Sequence, residues 1–422
     1  MNNTKETKII EEITFRRIRI GYGVALLVTG LLIFLLFGLN TQAGLASTFG
    51  MNLSSAQAIT IPDLVIPAQA TVYALAMIIA FLGAFQMARG IHSIGWLVGA
   101  LAFAFVFAFL IWAAQGKSFN MVGMLQSSIV RATPIALAAL CGVMSERSGV
   151  VNIGIEGIML ISAQAAVVSA SLAGNLYVGL VVAILTGGLV AAAHAFLVIR
   201  FKVDQIVSGV AINIFGIGIT SFISSRFLEK AFTSLNNAGT FPIVPIPILS
   251  QIPIIGPALF ENNIVVYLMM VVVIVTHVVI FYTPWGLRTR AVGEHPKAAD
   301  TLGINVYLTR YVNVIAGGMI AGLGGAYFTI GAVGRFDQAM TAGKGFIGLA
   351  AMIFGNWNPV GAFFSSLIFG FADSLQVKLQ ILSVPIPSAF LLMAPYIVTM
   401  IVLTGVIGKS TPPAADGVPY EK

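Results

Sequence analysis

The chain has 422 residues, of which 58% are hydrophobic and only 9% charged, a net charge of +7 and a mean hydropathy of +0.97. A soluble domain carries roughly 25% charged residues, so this chain lacks the polar groups to cover a globule of its size and reads as an integral membrane protein. Its apolar runs, such as 20–39 and 264–282, are continuous and helix-length, unlike the alternating segments of a membrane barrel.

In chain order, the first predicted span is 20–39, preceded by Lys5, Lys8, Arg16, Arg17 and Arg19. No Ala-x-Ala site follows it, so it reads as a retained span rather than a cleaved leader. Further spans are expected at 71–88, 93–114, 121–143, 153–173, 176–199, 205–224, 264–283 and 310–332. Two short segments, 345–356 and 359–376, follow on either side of Asn356-Trp357-Asn358-Pro359, and the last span is 388–407. With the amino end inside, these twelve segments place 15 of the 22 Lys and Arg inside and 7 outside. That is the bias expected of cytoplasmic loops, and it accounts for the net charge without a nucleic-acid partner. Both termini are then cytoplasmic.

Two external stretches are long. Residues 40–70 are small and polar; 225–263 carry Pro242, Pro245, Pro247, Pro253 and Pro257, which excludes a lipid-facing helix interior. The second stretch is either a plain connection or a docking surface.

Several chemistries are missing. Cys141 is the only cysteine, and the four histidines are far apart and in no ligand-like spacing, so no zinc site is expected. Gly-Lys-Ser occurs at 116–118 and 408–410, but Ile111 and Leu403 stand where a phosphate-binding loop needs glycine. No cofactor is expected on this chain. Most spans contain no Asp, Glu, Lys or Arg, whereas ion-coupled carriers place such groups at membrane depth. The composition therefore favours an uncharged or polar solute and an energy source in another subunit. A catalytic constellation at depth is also missing, His194 and His277 being isolated, so an enzyme is not expected.

The polar exception is the segment 145–157, Ser-Glu-Arg-Ser-Gly-Val-Val-Asn-Ile-Gly-Ile-Glu-Gly. At 100° per residue, Asn152, Glu156 and Gln164 fall on one side of the helix predicted to follow. They either line an aqueous path or bond to neighbouring helices, and Glu146 and Arg147 are either part of this group or an exposed turn. Gly209, Asn213, Gly216 and Thr220 share a narrow face, as do Gly318 and Gly322, and Gly317 and Ala321. Such faces allow close helix packing; Asn213 alone is a candidate for a pore. The break at Phe354-Gly-Asn-Trp-Asn-Pro359 leaves backbone groups unpaired, which membranes tolerate only in protein-lined or watery surroundings. Asn356 and Trp357 are therefore candidate path residues, with Trp357 either stacking on a flat ligand or anchoring at the interface.

An internal loop joins the spans ending near 283 and starting near 310. Its core is Glu294-His295-Pro296-Lys297-Ala298-Ala299-Asp300-Thr-Leu-Gly303-Ile304. It reads as a short helix starting at Pro296, where proline is tolerated, and stopping at Gly303, with small Ala298 and Ala299 leaving an accessible face. This loop, 284–304, resembles the ATPase-coupling loop of ABC importer permeases. Segment 145–157 looks like the signature of the nucleoside and simple-sugar branch of the ribose/branched-chain amino-acid permease family. Gly345–Gly355 with Asn358, Pro359 and Gly361 resembles that family's late half-helix pair. The resemblance covers about 120–407.

It implies an all-α polytopic bundle with a permease core of about ten spans at 93–410, a cytoplasmic tail at 411–422, and two added amino-terminal spans within 1–92. It also implies a transport subunit of a prokaryotic cell membrane (plasma or inner) in contact with lipid, paired with a second related permease. A cytoplasmic ATPase would hold ATP and Mg, and an extracytoplasmic lipoprotein would deliver the solute. Nucleosides are the expected solute, with a ribose-like simple sugar as the alternative. The readings that compete are an ion-coupled carrier and a channel or structural subunit.

Overall fold

A computed structural model describes residues 19–53, 60–91, 94–393 and 410–422. Among these, ten helices are long and apolar enough to cross a membrane, and Lys344–Phe354 is a shorter apolar helix. The ten fall on the spans expected between 20 and 376. Of the expected span 388–407, Ser388–Leu392 is helix and Met393 a turn; 394–407 lie outside the described residues.

The chain divides into two compact units. One comprises the chain up to Gly123 with Lys378–Pro385, the other Met124–Val377 with Ile386–Lys422. The first unit thus runs past the expected boundary at 92 and takes in the helix Ile94–Ala113. It holds that helix with Arg19–Gly38 and Ala68–Ala88. Gly23 and Gly83 let the first two of these helices touch: a Cβ on Gly83 would stand 2.8 Å from the Gly23 carbonyl oxygen. Part of the 40–70 stretch is a small sheet, in which Ala46–Gly50 pairs antiparallel with Leu64–Pro67 and parallel with Ser118–Asn120. Ser47 Oγ donates to the Ile111 carbonyl at 2.6 Å and ties the sheet to a helix end.

The second unit is built around the most buried spans, Met121–Glu146, Ile155–Ala173 and Val306–Val333. In lipid, apolar side chains have nothing to gain by leaving one apolar medium for another, so close packing and hydrogen bonds must hold helices together. The glycine faces supply the packing. A Cβ on Gly187 would lie 2.3 Å from the Gly318 oxygen, and one on Gly157 would lie 2.5 Å from the Ile212 oxygen. Polar side chains supply the bonds: Gln164 Nε2 donates to the Thr220 carbonyl at 2.9 Å, and interhelical bonds of this kind are worth about 0.6 kcal/mol on average. His194 is likewise a packed residue, with ring nitrogens 2.9 Å from Ser208 Oγ and 3.0 Å from the Val151 oxygen. The proline-rich stretch 225–263 folds as a short antiparallel pair, Ile243–Pro245 with Glu261–Asn263, bracketing the helix Ile255–Phe260.

Candidate functional site

Segment 145–157 ends one helix and starts the next. Gly149, at φ +82°, turns the chain after Glu146, and the following helix begins only at Ile155. Asn152 therefore precedes that helix and does not share a helical face with Glu156 and Gln164, as the sequence spacing had suggested. It has no exposed surface; its Oδ1 accepts the Gly154 N–H at 3.1 Å and its Nδ2 lies 3.7 Å from Cys141 Sγ. Asn213 serves the same junction from the neighbouring span. Its Oδ1 accepts the Gly157 N–H at 2.8 Å and its Nδ2 donates to the Ile153 carbonyl at 2.9 Å.

Glu156 is buried and fully engaged. Oε1 accepts from Thr341 Oγ1 at 2.6 Å and the Gly343 N–H at 2.8 Å, and Oε2 accepts the Gly345 N–H at 2.6 Å. The last two donors belong to the start of the half-helix Lys344–Phe354. A helix start presents unpaired N–H groups and partial positive charge, both of which a carboxylate satisfies. Gly345 permits the approach, since a Cβ there would stand 2.7 Å from Glu156.

At the other end of that half-helix, Asn356 and Trp357 adopt φ of +54° and +52°. For tryptophan this backbone costs on the order of 1–3 kcal/mol and must be held by its surroundings. Trp357 Nε1 donates to Glu146 Oε2 at 2.6 Å, and Arg147 donates to the carbonyls of Trp357 at 2.8 Å and Asn356 at 3.2 Å. The Trp357 ring is buried in a cluster with Ile135, Val143, Phe354 and Phe369. Arg147, whose charge is disfavoured by burial and favoured by Glu294, also lies over the Phe281 ring.

The loop 284–304 forms two helices, Pro284–Glu294 and Pro296–Thr301. Between them His295 caps the second, its Nδ1 accepting the Ala298 N–H at 3.1 Å, and Gly303 at φ +82° ends it. Lys297, Ala298 and Leu302 face outward, Leu302 being 82% exposed. Ala299 does not share the open face expected for it, because it is 2% exposed in a cluster with Val292, Val306 and Tyr420. The cover comes from the tail. Thr411 N–H donates to Asn356 Oδ1 at 2.9 Å, Ala414 N–H to Glu294 at 3.2 Å and Ala415 N–H to the Gly293 carbonyl at 2.8 Å. Lys202 pairs with Glu421 at 2.6 Å and Lys422 with Asp300 at 3.6 Å. Asp416 rests against Glu146; burial pushes its carboxyl up to about 6, against the opposing pull of hydrogen bonds from Glu146 and the Gly417 N–H and of the Arg310 charge.

A second site lies further along the same helix, at Arg131, fifteen residues or about 22 Å from Glu146. A cavity of about 420 Å³ opens there, lined by Gln126, Arg131, Tyr327, Phe328, Lys344 and Asp373 among others. Asp373 Oδ2 takes both cations, Arg131 Nη1 and Lys344 Nζ each at 3.1 Å. Two backbone irregularities border it. Pro134 sits inside the helix Met121–Glu146, so the carbonyl of Val130, also in the wall, loses its helical donor. Tyr327–Val333 is π-helical, a form often found at functional sites.

Residues 124–407 match the family model described as the permease component of the branched-chain amino acid transport system. The chain belongs to this permease family. It is 42% identical over 307 residues to a guanosine ABC transporter permease protein, NupQ, of Bacillus subtilis, covering 70% of this chain and 95% of that protein. It is 41% identical over 316 residues to a nucleoside ABC transporter permease protein, NupC, of Lactococcus lactis, covering 72% and 99%. A putative glucose ABC transporter permease protein, TsgC13, of Haloferax volcanii is 36% identical over 261 residues, covering 62% and 79%. No solved structure matches.

Both sites lie within the matched region, apart from the tail. Of the residues singled out from the sequence, Asn152, Glu156 and Asn213 meet at the junction 145–157, Gln164 bridges two helices further along, and Asn356 and Trp357 join the half-helix end to Arg147 and the tail. None of these six lines the cavity. Arg131, Lys344 and Asp373, which are among the residues that do, were not singled out, although Arg131 and Asp373 are charges inside the expected spans 121–143 and 359–376, the signal that could have found them. Their mutual pairing exists only once three distant segments meet.

Proposed function

We propose that this multi-pass protein is the permease subunit of an ATP-driven importer that brings nucleosides into the cell. It would work with a cytoplasmic ATPase that holds ATP and Mg, a second related permease and an extracytoplasmic binding lipoprotein, with both its own termini in the cytoplasm. The observation that carries the ATPase reading is the helix Pro296–Thr301, capped by His295, backed by the tail and turning Lys297, Ala298 and Leu302 outward. A helix braced on one side and bare on the other suits a load-transmitting contact with a partner. The nucleoside reading is supported by the two relatives named for guanosine and nucleoside transport. A simple sugar is the second reading, supported by the more distant relative named for glucose.

The test is uptake by the reconstituted complex. Labelled guanosine should accumulate only with ATP and the ATPase, and should persist when proton and sodium gradients are collapsed. Leu302→Glu alters only the outward face and should abolish accumulation. Guanosine uptake driven by an ion gradient without the ATPase would move the protein to the secondary carriers, and glucose uptake in place of guanosine would favour the sugar reading.

A further inference from the structure

The ionic cluster at the cavity joins three helices and shares no residue with the junction 145–157 or the loop 284–304. Ionised side chains at membrane depth are expensive, and when present they mark solute or ion paths more often than scaffolding. Here the expense is limited by mutual compensation. Asp373 Oδ2 holds Arg131 and Lys344 together, and the three side chains are 15%, 36% and 18% exposed, so all retain access to the cavity. Oδ1 of Asp373 takes part in neither contact.

The lining suits one class of ligand. A carboxylate oxygen accepts from hydroxyl groups, most favourably from a vicinal pair. Arg131 and Lys344 can only donate, and so match carbonyl oxygens and ring nitrogens. The aromatic side chains of Tyr327 and Phe328 and the apolar Val130 and Ala332 complete the wall. A volume of about 420 Å³ falls in the range of about 300–1,000 Å³ typical of small-molecule sites. The cluster carries one more positive than negative charge, which disfavours cations.

Lys344 is held in place from behind. It begins the half-helix whose first turn is tied to Glu156 through Gly343 and Gly345. Glu156 is thus a positioning residue for this cavity rather than part of its wall.

We propose that this cavity is a recognition site for the solute within the membrane, with Asp373 accepting the ribose hydroxyls of a nucleoside and Arg131 and Lys344 donating to acceptors on its base. In the empty state the three charges satisfy one another. Solute entry exchanges part of that pairing for its own hydrogen bonds, which gives selectivity with low affinity and lets the solute move on. The ligand class rests on the nucleoside reading above.

The experiment compares guanosine with 2′,3′-dideoxyguanosine in the reconstituted complex, always with the same binding lipoprotein, so that a change in their ratio belongs to this chain. Asp373→Asn should lower guanosine uptake at least tenfold while the dideoxy analogue falls much less, narrowing the preference about tenfold. Asp373→Glu should restore part of it. An unchanged ratio, whether both rates hold or both fall together, reduces the cluster to a structural ion pair and overturns the proposal. If Asp373→Asn does not assemble, Ala332→Trp decides: it fills the cavity and leaves the ion pairs untouched. In assembled complexes it should cut guanosine uptake at least tenfold, and normal uptake would overturn the site. A wild-type complex that moves glucose but no nucleoside would instead sink the nucleoside reading, and the assigned ligand with it.

Discussion

Glu156 and Gly345 stand 189 residues apart in the chain, yet the Glu156 Oε2 accepts the Gly345 N–H at 2.6 Å. Together with the bonds from Thr341 and Gly343, this contact makes one carboxylate responsible for the start of a half-helix on another segment. The same half-helix ends at the Asn356-Trp357 turn held by Arg147. It therefore links the cavity at Lys344 with Arg147 and the carboxyl-terminal tail.

Removing the carboxylate should show this. Hydrogen bonds to a charged group are worth about 1.5–3 kcal/mol each, and the donors left behind would be buried. Glu156→Ala should destabilise the detergent-solubilised protein by about 3 kcal/mol or more in thermal unfolding. Glu156→Gln keeps the shape and one acceptor oxygen and should lose about half as much. Equal stability of wild type and Glu156→Ala would show the capping contacts to be incidental.

Trp357→Phe isolates a different bond. The ring cluster keeps an aromatic, but the Nε1–H that meets Glu146 at 2.6 Å is gone. A buried acceptor left short of a donor costs about 1–3 kcal/mol, and the tail that rests on Glu146 through Asp416 should loosen with it. Hydrogen exchange at the Ala414 and Ala415 amides should accelerate in this variant; unchanged exchange there would separate Trp357 from the tail.

The tail should also respond to pH. In the docked state the Asp416 carboxyl is pushed up from 3.8 to about 6, first by burial. A raised acid docks best when protonated, so its contribution is fully present below about 3.8 and is lost as pH rises through about 6. Protection of the Ala415 amide, which donates to Gly293, should be greater at pH 5 than at pH 7.5, and Asp416→Asn should flatten the difference. Protection that rises with pH would reverse the sign and refute the assignment.

Helix crossing by glycine gives the last prediction. A Cβ on Gly187 would stand 2.3 Å from the Gly318 carbonyl oxygen, a backbone atom that cannot swing aside. Gly187→Ala should therefore force the two helices apart and cost about 1–3 kcal/mol, the usual range for overpacking. Gly95→Ala, where a Cβ meets nothing within 4 Å, is the matched control and should be nearly neutral in the same thermal assay.

Much of this protein is written in runs of neighbouring residues. A membrane span needs only about 20 consecutive apolar side chains, so the ten long helices and the half-helix Lys344–Phe354 could be read along the chain. The helix Pro296–Thr301 was legible for the same reason, since Pro296 and Gly303 act within a turn or two of themselves. The glycine faces on 205–224 and 310–332 followed from helical period alone. Tertiary structure decided what no window of sequence contains. Asn152 looked like a helix-face partner of Glu156 until the Gly149 turn and the helix start at Ile155 set it apart. Glu156 and Trp357 were legible as polar or irregular positions, but their bonds to Gly345 and Glu146 on other segments were not. Arg131 and Asp373 are visible as charges inside expected spans, but nothing along the chain pairs them with each other or with Lys344, and Asp416 sits in a polar tail. Charge is a property of a residue, whereas compensation is a property of a pair, and only the folded chain brings these pairs within 3–4 Å of one another.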